Sequence, residues 1–157
     1  SRSPLERSVP VQKRVFAALV GAALCVSPAL ADEAWVLPGG GEVTWDDDVN
    51  GVAVLSYPVG RSRQRVRLYV PGLSAAIDDR GTFHGYWIGP SGDSDCAATL
   101  TGADGTRSAA FGQAIITFDQ PSFPSGWSAL IGQCFDPPSD EMRADAIYGN
   151  QIVVPRN

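Results

Sequence analysis

The sequence is short of the residues on which much catalysis depends. Its 157 residues include one lysine, one histidine, one methionine and three cysteines. The lysine, Lys13, sits in an N-terminal leader, so the rest of the chain has no amine to act as a base or form a Schiff base. With His84 as the single histidine, no H-E-x-x-H zinc motif can form, and neither a G-x-S-x-G elbow nor a P-loop occurs. Basic residues are also few. Twelve Lys and Arg stand against 17 Asp and Glu, a net charge of -5. A general nucleic-acid binder needs positive charge to meet the phosphate backbone, so no nucleic-acid partner is expected. Long apolar runs are missing too. Val15 to Val26 is the longest, and it falls short of the roughly 20 residues needed to cross a bilayer.

That short run has an informative setting. Lys13-Arg14 precede it, and Ser27-Pro28 and Ala29-Leu30-Ala31 follow it. A charged start, an apolar middle and an A-x-A end make residues 11–31 a secretory signal peptide, with cleavage expected between Ala31 and Asp32. Val11 sits where such a leader begins, so residues 1–10 read as upstream sequence. Residues 32–157 are then one exported domain, periplasmic or extracellular, with no membrane span after cleavage. Without the leader the chain carries eight Arg against 16 acidic groups, a net of -8. Cys25 leaves with the leader, and Cys96 and Cys134 remain. In an oxidising compartment this pair reads as a disulfide. Such a bond stabilises by about 2–4 kcal/mol, mainly by restricting the unfolded chain.

The remaining chain alternates β-rich runs with Gly, Pro, Asn and Asp clusters. Strands are predicted at 34–37, 42–45, 52–57, 64–70, 83–89, 96–101, 113–118, 127–135 and 147–154. No window keeps a 3.6-residue period, although single helical turns fit 73–79 and 139–144. Short strands at near-regular spacing predict an all-β antiparallel sandwich, with a small barrel as the alternative. Val52-Ala53-Val54-Leu55 is apolar at every position, as a strand covered on both faces requires. Alternation along 127–135 places Cys134 with Leu130, so the disulfide is expected to join two strands.

Four features carry candidate chemistry. Asp46-Asp47-Asp48-Val49-Asn50-Gly51 matches the first half of a calcium loop, but Tyr57 stands where the closing Glu belongs. Asn-Gly is also the favoured two-residue hairpin turn. A hairpin with a weak calcium site at Asp46, Asp48 and Asn50 satisfies both, and no other cofactor is expected. Arg61, Arg63, Arg65 and Arg67 alternate, which on a strand puts four guanidinium groups on one face, about 6.6 Å apart. Such a stripe either grips an anionic partner or guards an edge strand. Tyr86 and Trp87 lie in a ring-rich strand that is either core or a platform for a sugar or protein. His84 with a nearby carboxylate is the remaining route to a small hydrolase.

The leading expectation is an exported, non-catalytic binding domain for a protein or an anionic or glycan component of the envelope. Inhibition of a secreted enzyme is a special case, for which an ordered, exposed loop at 121–126 would serve. A carbohydrate- or envelope-polymer-binding domain and a His84 hydrolase are the alternatives.

Overall fold

The computed structural model describes residues 33–61, 64–74, 78–93 and 95–155. The expected leader and its cleavage point lie outside these residues. Among the described residues there are strands and no helix. In chain order they are β1 (Ala34–Val36), β2 (Glu42–Val49), β3 (Val52–Pro58), β4 (Arg65–Pro71), β5 (Thr82–Ile88), β6 (Leu100–Thr101), β7 (Arg107–Ser108), β8 (Phe111–Phe118), β9 (Trp127–Ile131), β10 (Asp140–Tyr148) and β11 (Gln151–Val153).

Each strand of the main sheet pairs antiparallel with its neighbour, in the order β1-β2-β3-β4-β5-β8-β9-β10. β10 then returns to β1, through Trp35 opposite Ala146. The sheet therefore curls into an eight-stranded barrel-like wall, and the barrel alternative forms in place of the expected sandwich. Both architectures need the same in-out alternation, so the pattern of residues favours neither. The deciding element is β1. It pairs with β2 on one edge and β10 on the other, which removes the edge a sandwich would leave. β11 continues along β10 beyond the point where β9 ends. β6 and β7 form a separate two-stranded ribbon inside the long β5–β8 connection.

The interior explains the composition. Trp35 and Trp127 are fully buried, with ring centroids 6.2 Å apart and planes at 65°. Ala114, Ala129, Ala144 and Ala146 lie in the same cluster. Small side chains on β8, β9 and β10 make room for two indoles at interior density. The doubly apolar β3 is covered as expected. Ala53 and Leu55 face the barrel interior, while Val54 faces outward against Tyr69, Ile88 and Phe111. The β5–β8 connection supplies that outer cover.

The Asn50-Gly51 turn forms as expected, with both residues at positive φ, 52° and 79°. Four predicted elements are corrected. The predicted helical turn at 139–144 belongs to strand β10, whose Ala144 and Ala146 face inward while Arg143 and Asp145 face out. Alanine and acidic residues are poor strand formers in isolation, and packing overrides that preference. The predicted strand 147–154 is split by a turn at Gly149 and Asn150. The predicted strand 96–101 shrinks to Leu100–Thr101. The predicted strand 127–135 ends at Ile131, because Cys134 adopts φ 53° in the following turn. The disulfide therefore joins two loops, with Cα atoms 5.6 Å apart, and not two strands.

These loops share one end of the barrel. The other end is closed by Arg80, which is buried and makes paired hydrogen bonds to Glu33. Its guanidinium carbon lies 5.2 Å from the Phe118 ring centroid and 5.9 Å from that of Trp45.

Candidate functional site

Alternation along β4 fixes the site. Leu68 and Val70 point into the barrel, so Arg65, Arg67 and Tyr69 point outward. The connection from Gly89 to Ala110 folds back over this outer face. Tyr69 stacks on Tyr86 at 4.7 Å and 10°. The Tyr86 hydroxyl accepts the Ala103 N–H at 3.2 Å. Asp104 fastens the cover. It accepts hydrogen bonds from the Tyr69 hydroxyl at 2.8 Å and the Thr106 N–H at 3.0 Å, and it pairs with Arg67 at 2.5 Å. Burial opposes the Asp104 charge, but the Thr106 and Tyr69 hydrogen bonds and the Arg67 charge outweigh it, holding the carboxyl below its usual value. Burial pushes the Tyr69 phenol up to about 12.

Where the cover meets the start of β4 a groove of about 270 Å³ opens. Gln64, Arg65, Arg67, Ser91, Arg107 and Ser108 are among its lining residues. Arg65 is held across β3 and β2, donating through Nε to Ser56 Oγ at 2.8 Å and through Nη2 to the Ser56 carbonyl at 2.7 Å, Thr44 Oγ1 at 3.1 Å and the Glu42 carbonyl at 3.2 Å. Arg107 donates to Thr99 Oγ1 through Nε and Nη2, at 3.1 and 2.9 Å. Neither forms an ion pair within 4.0 Å among the described residues. The groove thus gathers three arginines, of which Arg67 is matched by Asp104.

The predicted four-arginine stripe is only partly a strand face. Arg61 lies exposed in the turn before β4, and Arg63 lies outside the described residues. Arg65 and Arg67 share the outer face as predicted, joined by Arg107, which the stripe did not include. Arg107 reaches them because the β6–β7 ribbon folds back over the sheet, and no local pattern announces that. Tyr86 is engaged by Tyr69 and Ala103. Trp87 packs against the barrel core and donates through Nε1 to the Gly132 carbonyl at 2.8 Å.

At the proposed calcium loop, Asp46 is the extra residue of a β-bulge between Trp45 and Asp47. Its carboxylate accepts from Thr44 Oγ1 and Ser56 Oγ, at 2.6 and 2.5 Å. Asp48 and Asn50 follow along the hairpin. Among the described residues, no group of three or more His, Cys, Asp or Glu is placed to hold a metal. His84 is exposed on the outer face of β5, opposite Ile115. In the 121–126 loop, Pro121 and Ser122 are exposed while Ser125 and Gly126 are buried. A larger hollow of about 500 Å³ lies on the wall of β8, β9 and β10, lined in part by Ile115, Leu130, Glu141 and Arg143. Arg143 is already matched there by Asp119 and Asp145.

Fold and groove together define a class: a disulfide-bonded antiparallel barrel with an arginine-lined groove on its outer wall. Family models, curated proteins and solved structures give no match to this chain.

Asp104 makes the cover sensitive to acid. A carboxyl with a lowered folded value contributes stability that is complete above its unfolded value, near pH 4, and is lost as pH falls through the folded value. The Gly102 N–H, bonded to the Thr106 carbonyl at 2.7 Å, is expected to lose hydrogen-exchange protection below about pH 4, before the Leu68 and Val70 amides do. Asp104→Asn should expose Gly102 at neutral pH. Equal loss at all three amides would show that Asp104 does not fasten the cover.

Proposed function

We propose that the protein is an exported, non-catalytic binding domain that holds an anionic group of a partner protein or envelope polymer in the arginine groove. Export rests on the leader at residues 11–31. Binding rests on one observation: Arg65, Arg67 and Arg107 line one groove of an acidic chain, and two of them have no ion-pair partner among the described residues. Surface arginines in an acidic protein are readily matched by its own carboxylates. Arg65 and Arg107 spend Nε and Nη2 on neutral oxygens of Ser56, Thr44, Glu42 and Thr99, which leaves the Nη1 group of each for an outside anion in the groove they both line.

The test is calorimetric titration with a panel of anionic glycans, phosphorylated envelope polymers and acidic peptides. At least one should bind, with affinity falling as salt rises. Arg107→Glu should weaken that binding at least tenfold, about 1.4 kcal/mol or more. Arg107 is exposed and its side chain donates to Thr99, so the thermal midpoint should change little. Silence across the panel, or full binding by Arg107→Glu, would remove this reading.

A further inference from the structure

We propose that the hollow on the wall of β8, β9 and β10 is a second binding site, and that it takes an ammonium group carried on an unbranched aliphatic stem. The hollow shares no lining residue with the arginine groove, so it goes beyond the anion-binding reading and does not depend on it. Its volume of about 500 Å³ lies within the range of small-molecule sites.

Strand register builds the floor. Ile115 stands opposite Leu130, and Leu130 opposite Glu141, so the three form one row across β8, β9 and β10. Ala114, Ala129 and Met142 pack in the core, and alternation therefore turns this row outward. Leu130 is a large apolar side chain left 38% exposed on that floor. Adjacent strands lie about 4.8 Å apart, so the row from Ile115 to Glu141 spans about 10 Å. A stem of about five carbons laid over Ile115 and Leu130 covers their exposed methyl groups and brings its head to the Glu141 carboxylate. His84 stands opposite Ile115 at the other end of the row. Within the row a carboxylate is found only at the Glu141 end.

Charge selects the head group. Among the described residues that line the hollow, Arg143 is the one basic side chain, and none carries an aromatic ring. Arg143 is fully spent. Its Nε donates to Asp145 at 2.9 Å, its Nη1 to Asp119 at 2.6 Å, and its Nη2 to Asp119 at 2.6 Å and Asp145 at 2.8 Å. Glu141 is exposed and forms no ion pair within 4.0 Å among the described residues. Three carboxylates thus stand against one guanidinium at this wall, which attracts a cation and repels an anion. Without a ring in the lining, a sugar or a quaternary ammonium has no face to stack on.

The experiment is a titration of the full protein, over the millimolar range, with pentylammonium, pentanol, pentanoate and tetramethylammonium, followed by amide shifts at Ile115, Leu130 and Glu141. Pentylammonium is expected to shift these amides and to bind at least fivefold more tightly than each of the other three. Shortening the stem to ethylammonium should weaken binding about eightfold, twofold for each methylene half-covered on an open floor. Glu141→Gln should bring pentylammonium down to the level of pentanol. Leu130→Ala should weaken pentylammonium more than ethylammonium. Both side chains are exposed, so the amide shifts of β3 and β4 should stay in place in either variant. A lysine capped as its acetyl methylamide separates two sources of the group. Binding as tight as pentylammonium assigns the hollow to a lysine side chain of a partner protein, and weaker binding assigns it to a free aliphatic amine. Equal binding of pentanol, pentanoate or tetramethylammonium would overturn the assignment, as would the absence of any shift at the three amides.

Discussion

Replacing both Cys96 and Cys134 by serine is expected to lower stability by about 4 kcal/mol. The bond joins residues 38 apart in sequence. Closing a loop of that length removes unfolded-chain entropy worth close to 4 kcal/mol at room temperature. For a domain of this size each kcal/mol moves the melting midpoint by about 3–5 °C, so a fall of roughly 12–20 °C should follow. Reducing the disulfide of the unaltered protein should reproduce it. The loss should also have a place. Cys96 lies in the cover and Cys134 in the β9–β10 loop, whose N–H bonds to the Phe111 carbonyl at 2.8 Å. Without the bond, the cover keeps the Asp104 fastening and the Tyr69–Tyr86 stack. Hydrogen exchange should therefore rise first around residues 96–101 and only later in β3 and β4. Because Arg107 rides on the cover and Arg65 on the barrel, anion affinity should fall on reduction before the barrel melts. A midpoint that moves by only a degree or two would mean that the loop geometry, and not the covalent bond, holds this end together.

The features legible in the sequence were those fixed locally or by alternation. The β class, the Asn50-Gly51 hairpin and the double coverage of β3 follow from neighbours in the chain, and the pairing of Cys96 with Cys134 from their being the two cysteines outside the leader. Closure was not legible, because it depends on β1 meeting β10, more than a hundred residues away, and the same residues could line a sandwich. β10 was missed for a related reason: Ala144 and Ala146 are small because two tryptophans from β1 and β9 fill the space they leave. Of the candidate site, Arg65 and Arg67 were visible as alternating charges on one strand. Arg107 was not, since its place beside them depends on how the cover docks on Tyr69 and Tyr86. A tyrosine ladder of this kind looks, in the sequence, like either core or binding platform. Here Tyr69 is fully buried and Tyr86 stacks on it.

The second large effect is expected at the closed end of the barrel. Arg80 and Glu33 are buried, at 4% and 8% exposure, with two hydrogen bonds of 2.5 Å between them. Taking both charges out of water is costly, and the bidentate geometry and the rings of Phe118 and Trp45 return much of that cost. Removing one partner leaves the other charge stranded. Arg80→Met should therefore destabilise by about 3–5 kcal/mol, and Glu33→Leu by a similar amount. The double variant Arg80→Met/Glu33→Leu removes both charges and fills the same space with apolar atoms. It should recover most of the loss, and buried pairs replaced in this way in other proteins have come out neutral or more stable. The coupling from the four chemical denaturation curves should thus be large, well beyond the roughly 0.5 kcal/mol seen between independent sites. Additive losses would show that each side chain contributes through its own packing, Arg80 against the rings and Glu33 against β1, and that the ion pair is not what closes the barrel. With strong coupling the closed end is a charge-matched plug. The groove on the outer wall, which shares no residue with it, should then keep its anion affinity in the double variant.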